Sequence, residues 1–132
     1  MNVHPVVTSF LNAWKALDEE AYIAHFAEEF ESIDPYGVAR DEDGARQHIR
    51  QLRKYWTDLD YEVIACISEG DEVAVAYRIF LTGIGGGWKD KRLELECIAM
   101  VSIEDGRIRR WREQFDTAVF SNARDAAPER VA

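Results

Sequence analysis

The sequence contains little cysteine and little histidine, and this scarcity excludes several kinds of site. Only two cysteines and three histidines occur in 132 residues. Cys66 and Cys97 belong to no Cys-x-x-Cys or Cys/His spacing that would hold zinc. No two histidines share a face and the acidic residues are scattered, so we expect no metal site. The serines have no histidine at a partner position, which argues against a nucleophilic triad.

Positive charge and long apolar runs are also in short supply. The formal net charge is -9, which argues against nucleic acid, because a phosphate backbone attracts basic patches. The N-terminus has no basic start or signal-length apolar run, and no stretch approaches membrane-spanning length. We therefore expect a cytoplasmic protein that binds neither nucleic acid nor membranes. Without a secretory segment, Cys66 and Cys97 are predicted to be free, buried thiols rather than one disulfide.

Motifs for phosphate or nucleotide binding are missing as well. Three consecutive glycines occupy residues 85–87, but no Lys-Ser or Lys-Thr follows them and no helix is predicted after them. We expect a protein that works without a cofactor. Trp88, which follows the glycines, is predicted to cover either the end of the fold or a ligand.

What the sequence does contain is the pattern of one domain, residues 1–132, without repeats or linkers. Apolar residues at three- and four-residue steps predict an amphipathic helix from Pro5 to about Leu17. Asp18 is a plausible N-cap for a short second helix, and a third is predicted from Asp41 to Trp56. The tail from about residue 121 turns polar and is predicted to be mobile.

Three polar residues in this first half are weighed individually. His25 lies beside the apolar stripe of the second helix and is predicted to be structural or at the surface. His48 is off the apolar face of the third helix and is predicted to be solvated. Asp34 ends a short strand before Pro35, where it either caps the turn through the backbone or serves a site.

The second half of the chain changes to a period of two, which is typical of strands. The turn at Glu69-Gly70-Asp71 separates two predicted strands, and Asp105-Gly106 turns a long hairpin from Arg92 to Phe115. Alternation predicts inward faces made of three sets: Tyr61, Val63, Ala65 and Ile67; Val73, Val75, Tyr77, Ile79 and Leu81; Leu93, Leu95, Cys97, Ala99, Val101 and Ile103.

The last arm of the hairpin contains a carboxylate between aromatic residues. Alternation places Arg109, Trp111, Glu113 and Phe115 on one face, and Ile108 on the other with Arg110, Arg112 and Gln114. If the aromatic face is buried, Glu113 is a carboxylic acid in an apolar setting and a usable proton donor or acceptor. If the register is the opposite one, Glu113 lies in water.

These elements predict an α+β fold in which three N-terminal helices pack in the concave face of a strongly curved, mostly antiparallel sheet. Such a wrap forms a cone-shaped α+β barrel. The open end of the cone can hold a small apolar ligand.

Several separated phrases resemble one family. The order of the helices, the phrase HFAEEFESIDPYG, the helix near DGARQHI and the ending EDGRIRRWREQFD resemble the nuclear transport factor 2-like superfamily over about residues 7–120. SnoaL-like, ketosteroid isomerase-like and limonene epoxide hydrolase-like enzymes share that layout. The resemblance implies the fold, whereas the fold hosts many activities and some non-enzymes.

Two members of that superfamily suggest site residues. In ketosteroid isomerase an Asp-Pro at the end of the first strand supplies the general base, and Asp34-Pro35 matches it. The places of its two oxyanion donors hold Phe10 and Ala99, so steroid isomerisation by that mechanism is not expected. Limonene epoxide hydrolase ends in a phrase close to WREQFD, which puts Glu113 on a position that helps activate water and implies that it points inward.

That hydrolase set is only partly present. By position, its Arg-x-Asp pair is replaced by Tyr77 and Ile79, and its tyrosine and asparagine by Ser32 and Asp34. A scytalone dehydratase-like reaction needs a histidine on the sheet, and no predicted strand carries one.

The main hypothesis is a cofactor-independent acid–base enzyme of isomerase or cyclase type, acting on a small apolar, polyketide- or terpenoid-like molecule. Asp34 would be the general base, Glu113 a second acid or base, and Tyr77 a donor to a developing oxyanion. The residues predicted to contact the substrate are Trp14, Trp56, Ala99, Trp111 and Phe115.

Two alternatives remain open at this point. One is epoxide hydrolysis by the same residues. The other is a non-catalytic binding or dimerisation module, in which the outer sheet face pairs two copies as the family's dimers do. The residues expected on that outer face are Ala76, Phe80, Ile98 and Met100.

Overall fold

The computed structural model describes residues 1–125 and confirms the α+β class. The three predicted N-terminal helices are present, and each strand region of the sequence forms a strand. In chain order the elements are α1 (Pro5–Lys15), α2 (Glu19–Ala24), β1 (Phe26–Asp34), β2 (Gly37–Ala39), α3 (Glu42–Tyr55), β3 (Trp56–Glu69), β4 (Glu72–Gly83), a 3-10 turn (Gly86–Trp88), β5 (Arg92–Glu104), β6 (Arg107–Phe115) and α4 (Ala118–Asp125).

The six strands form one mixed sheet in the order β2-β1-β6-β5-β4-β3. All neighbouring strands are antiparallel except β1 and β6, which are parallel. Within the described residues β2 and β3 are the two edges, so the sheet is an open cone. The expected closure into a barrel is therefore wrong, because the strands at the two edges do not pair with each other.

Local sequence explains where the helices begin. The carboxylate of Asp18 accepts a hydrogen bond from the Ala21 N–H at 3.1 Å, as predicted for an N-cap. Asp41 caps α3 in the same way through the Gly44 N–H at 2.8 Å. Pro5 is the first residue of α1. Its missing N–H costs no hydrogen bond, because the N–H of a first helical residue has no partner inside the helix.

The inward faces of the two central strands are as predicted. Every second residue of β4 from Val73 to Leu81 is buried, and so is every second residue of β5 from Leu93 to Ile103. Together with the apolar stripes of α1 and α3 they form the hydrophobic core.

Two β-bulges change the predicted faces of the neighbouring strands. Ile64 is an extra residue in β3, so the alternation shifts and Ile67 points outward with 73% exposure. Arg109 is an extra residue in β6, so Ile108 becomes fully buried. The predicted inward positions of Ala65 and Ile67 and the predicted outward position of Ile108 are therefore wrong.

The chain does not turn irregular after Phe120. Helix α4 continues to Asp125, with Asp116 accepting a hydrogen bond from the Ala118 N–H at 2.9 Å. The mobile tail from about residue 121 stays a prediction, since residues 121–125 are helical and residues 126–132 lie outside the described residues.

Both cysteines are free thiols, as expected. Cys97 is buried, and this burial raises the pKa of its thiol to about 12. Cys66 is only half-buried: the bulge in β3 turns it to the inner face, opposite Val75, but β3 is an edge strand. In residues 1–125 the helices are all too short or too polar to span a bilayer.

Candidate active site

A cavity of about 660 Å³ lies between the helices and the inner face of the sheet. This volume is in the range of sites that hold small organic molecules. The residues around it are Phe10, Leu11, Trp14, Tyr22, Ser32, Ile33, Asp34, Tyr36, His48, Gln51, Leu52, Tyr55, Trp56, Tyr77, Ile79, Leu81, Trp88, Trp111, Glu113, Phe115, Thr117, Phe120, Ser121 and Arg124.

Asp34 lies at the end of β1, where it both caps a turn and faces the cavity. Its Oδ1 accepts hydrogen bonds from the N–H groups of Tyr36 at 2.7 Å and Gly37 at 3.1 Å. Those bonds hold the side chain in one orientation. The two interpretations of Asp34 that the sequence left open are therefore compatible, because one carboxylate oxygen makes the turn and the other remains free.

His48 also lines the cavity, which corrects the prediction that it is solvated on the outside of α3. Its Nδ1 lies 3.9 Å from Oδ2 of Asp34, and its ring packs edge-on against Tyr22 with centroids 6.1 Å apart. Burial lowers the pKa of His48, while the Asp34 carboxylate acts in the opposite direction. The sequence analysis did not include this residue in the site.

Glu113 faces the cavity from β6, on the inner face of the sheet between Trp111 and Phe115. It is directly across the strands from Ala99. Desolvation by burial raises the pKa of Glu113 to about 8, and the neighbouring charge of Asp34 adds to this effect. Glu113 therefore points inward, which is one of the two orientations that the sequence left open. At neutral pH the carboxyl is mostly protonated and can donate a proton.

Two tyrosines complete the polar part of the cavity. Tyr77 on β4 is 1% exposed, and its hydroxyl has no hydrogen-bond partner among residues 1–125. Tyr22 on α2 is also buried, and burial raises its pKa, with the charge of Glu113 acting in the same direction. Both tyrosines bring a hydroxyl to the lining of the cavity, and the Tyr77 hydroxyl is the one without a partner among residues 1–125.

Aromatic rings form most of the remaining walls. The predicted contact residues Trp14, Trp56, Trp111 and Phe115 all line the cavity. Ala99 is fully buried but is not part of the lining, because it packs in the core beside Glu113.

The mouth of the cavity is built from the 3-10 turn and α4. The Trp88 indole N–H donates a hydrogen bond to the Phe120 carbonyl at 2.9 Å, and the Lys91 ammonium donates to the Ala123 carbonyl. Trp88 thus covers the cavity, which is one of the two roles predicted for it. The side chains of Phe120 and Arg124 line the same opening.

The sequence also matches a protein-family model, and this match agrees with the fold. The family model of the SnoaL-like domain matches residues 7–111. The chain belongs to the SnoaL-like family. The match begins in α1 and ends at Trp111, two residues before Glu113. No curated protein matches this SnoaL-like chain.

Solved structures share the fold over nearly their whole length. An LEH-like epoxide hydrolase from M. tuberculosis is 18% identical, with a TM-score of 0.72 over 89% of this chain and 85% of that one. An NTF2-like protein of unknown function from Burkholderia pseudomallei is 18% identical, with a TM-score of 0.79 over 92% and 95%. A ketosteroid isomerase-like fold from Catenulispora acidiphila, in complex with trimethylamine, is 13% identical, with a TM-score of 0.79 over 96% and 100%. Similarity at this level shows a common fold, and an activity has to be argued from the site.

Proposed function

We propose that this SnoaL-like protein is a cofactor-independent acid–base enzyme, of isomerase or cyclase type, that acts on a small and mostly apolar molecule. One observation carries the proposal: the carboxyl groups of Asp34 and Glu113 face the same largely aromatic cavity. Two carboxyls in such a place cannot both ionise cheaply, so their proton affinities separate. One can take a proton while the other gives one.

The three polar residues have complementary roles in this proposal. The carboxylate of Asp34 provides the base, and we call its part of the cavity the base end. The N–H groups of Tyr36 and Gly37 hold this carboxylate in place. Glu113 is the acid, because its raised pKa keeps the proton on it at neutral pH. The unpartnered hydroxyl of Tyr77 donates to the oxygen on which negative charge develops.

The shape of the cavity supports a polycyclic or branched apolar substrate of polyketide or terpenoid type. The walls are mainly flat aromatic rings, for example Trp56 and Trp88 with centroids 5.3 Å apart. A volume of about 660 Å³ accommodates a molecule of two to four fused rings.

The proposal can be tested without knowing the natural substrate, with 5-nitrobenzisoxazole as a probe. A base removes the C3 proton of this compound, the ring N–O bond breaks, and a coloured cyanonitrophenolate forms. We expect a rate above that of free acetate, and we expect Asp34→Asn to lower kcat/KM about 100-fold or more. Glu104→Gln is the control, because Glu104 lies on the exposed turn of the β5–β6 hairpin.

Two results would contradict the proposal. One is a wild-type rate no faster than acetate at the same carboxylate concentration. The other is a rate that Asp34→Asn and Glu113→Gln both leave unchanged, since catalysis would then come from somewhere other than this cavity.

Epoxide hydrolysis is the second candidate, and the orientation of Glu113 favours it. Glu113 points into the cavity from the WREQFD phrase, where the resemblance to limonene epoxide hydrolase implies a water-activating carboxylate. In this reaction the ionised carboxylate of Asp34 or Glu113 takes a proton from water as the water oxygen attacks a ring carbon, the C–O bond breaks, and the epoxide oxygen takes a proton from Tyr77, which then regains one from the protonated carboxyl. Hydrolysis of a racemic terpene epoxide in ¹⁸O-labelled water separates the candidates, because opening without label in the diol excludes a hydrolase.

We also propose that two copies pair through the outer face of the sheet. Ile98 and Met100 of β5 are 58% and 56% exposed there, and Ile67 of β3 is 73% exposed. Burying such side chains favours association. Light scattering should give a dimer for the wild type and a monomer for Ile98→Glu. A wild-type monomer at 100 µM would end the proposal, and a dimer without turnover of any probe would favour a binding module.

A further inference from the structure

The base end of the cavity contains a second residue whose position points to a role. Asp34 has already committed its Oδ1 to the N–H groups of Tyr36 and Gly37. That oxygen is therefore engaged in the turn. Its remaining oxygen, Oδ2, is directed to His48, with 3.9 Å to Nδ1.

His48 lies next to Asp34 in the lining of the cavity. It projects from α3, and 40% of its side chain is accessible. Its Nδ1 is about 1 Å beyond hydrogen-bond distance from Asp34, and such contacts often shorten when a substrate binds. An imidazole that directs Nδ1–H at a carboxylate carries its lone pair on Nε2, on the far side of the ring.

We infer that His48 Nε2 is the atom that takes the proton, and that Asp34 is a positioning residue that holds the Nδ1–H tautomer and stabilises the imidazolium. This inference rests on the proposed function and refines its base end. In the proton transfer, the C–H electron pair of the substrate moves toward its oxygen, the proton forms an Nε2–H bond, and Glu113 gives its proton to that oxygen. The cycle closes in one of two ways: the imidazolium protonates another carbon while Glu113 takes its proton back from the oxygen, or the imidazolium returns the proton to Glu113 and the enol is released.

The charges around His48 are consistent with a neutral imidazole facing a neutral acid. Asp34 on β1 is the acidic group next to it, Tyr22 on α2 packs against its ring, and Glu113 and Arg124 line the same cavity from β6 and α4. Burial lowers the pKa of His48, and Glu113 retains its proton to about pH 8. Near neutral pH the cavity therefore holds a free base and a protonated acid together.

The first test reads the histidine tautomers by ¹⁵N NMR at pH 8, and it needs no substrate. The chain provides internal standards, because His4 Nδ1 accepts a hydrogen bond from the Val6 N–H at 3.2 Å and must carry its proton on Nε2. His25 Nδ1 lies 2.5 Å from the Ala21 carbonyl and must carry its proton there. We expect His48 to resemble His25 in the wild type.

Asp34→Asn decides whether the carboxylate holds that tautomer. We expect the His48 signals to change toward the Nε2–H form in this variant, while His4 and His25 stay as they are. An Nε2–H tautomer for His48 in the wild type would overturn the inference, whatever the protein does with any probe.

The second test compares His48→Gln with Asp34→Asn in the 5-nitrobenzisoxazole reaction. We expect each to lower kcat about 100-fold, and the double variant to lose no more than the larger single effect, because the two residues act as one unit. The wild-type rate should rise with pH through an inflection below 6.5, the ordinary pKa of histidine, and His48→Gln should remove it. His25→Gln is the matched control outside the cavity.

The outcomes separate the inference from the proposed function. A wild type that is active and keeps its kcat within threefold in His48→Gln would leave the acid–base proposal intact and remove His48 from it. A wild type without any catalysed rate would contradict the proposed function, and the tautomers would still report whether the Asp34–His48 pair exists.

Discussion

The inner end and the mouth of the cavity differ in how their polar groups are hydrogen-bonded. At the inner end, the buried hydroxyl of Tyr77 has no partner among residues 1–125, and desolvation raises the pKa of Glu113 so that it keeps its proton. At the mouth, the indole of Trp88 and the ammonium of Lys91 are bonded to carbonyls of α4. The polar groups at the mouth thus stabilise the structure, and those at the inner end remain available for a ligand.

This contrast indicates how the work of the site is divided. A folded protein normally satisfies its buried polar groups, because an unpartnered one costs about 1 to 3 kcal/mol. Groups that remain unpartnered beside a cavity are available to a ligand, so the proposed chemistry belongs to the inner end. In the same proposal, the bonded, aromatic mouth selects which molecules enter.

The largest expected effect concerns Glu113. Its pKa rises from 4.5 to about 8 on folding, so its contribution to stability is full below pH 4.5 and is lost as the pH rises through 8. Glu113→Gln has no ionisable carboxyl, so the variant does not lose this stability as the pH rises. We expect urea unfolding to show the variant more stable than the wild type by roughly 2 to 4 kcal/mol at pH 9, a value reduced for water in the open cavity.

The pH dependence is the discriminating part of that prediction. The difference in the free energy of unfolding should nearly vanish at pH 4.5, where the carboxyl is protonated in the folded state and half protonated in the unfolded state. Glu104→Gln, on the exposed hairpin turn, should follow the wild type at every pH. A Glu113→Gln advantage that is equal at pH 4.5 and pH 9 would show that the proton on Glu113 is not its cause.

The next effect concerns the packing of the mouth. A methyl group on Gly83 would lie 1.9 Å from the Trp88 carbonyl oxygen, so Gly83→Ala must displace the 3-10 turn. We expect a loss of about 1 to 3 kcal/mol in unfolding free energy, together with weaker ligand binding. Gly37→Ala is the control, since a methyl group there meets nothing within 4 Å. Equal stability of both variants would mean that the turn is not packed as described.

A smaller loss is expected when the mouth keeps its shape but loses one hydrogen bond. Trp88→Phe removes the donor to the Phe120 carbonyl. We expect thermal unfolding to show a loss of about 1 to 2 kcal/mol from the bond and some packing. Hydrogen exchange should become faster in α4 and stay unchanged in β4. Uniform change across the chain would argue against a local role of this bond.

Much of the fold follows from the sequence because the period of two is a strong signal. The alternation in β4 and β5 predicts their buried faces without error, since these two strands pair with each other without a bulge. Alternation fails for Ile67 and Ile108, where one extra residue shifts the pattern. A bulge is a property of two strands together, so one strand's sequence does not reveal it.

The site is less predictable because a cavity has no periodic signature. Asp34, Glu113 and Tyr77 were found through a turn, an oddly placed charge and an alternation, and the cavity includes all three. His48 was missed because an exposed and a cavity-facing residue look alike in a helical pattern. The available signal was its spacing, three residues after Ala45 and four before Leu52, which places it beside the buried stripe of α3.

The smallest effect on stability is also the most direct test of the unpartnered inner end. Tyr77→Phe removes a buried hydroxyl that has no partner in residues 1–125. We expect chemical denaturation to give an unfolding free energy unchanged or raised by up to about 1 kcal/mol, because nothing is lost that the fold uses. Tyr61→Phe is the control with the opposite sign, since that hydroxyl donates to Asn12 at 2.7 Å. If Tyr77→Phe instead destabilises the protein by more than Tyr61→Phe does, the hydroxyl is bonded in solution and is not reserved for a ligand. If stability holds while turnover of the probe falls tenfold or more, the hydroxyl acts on the substrate.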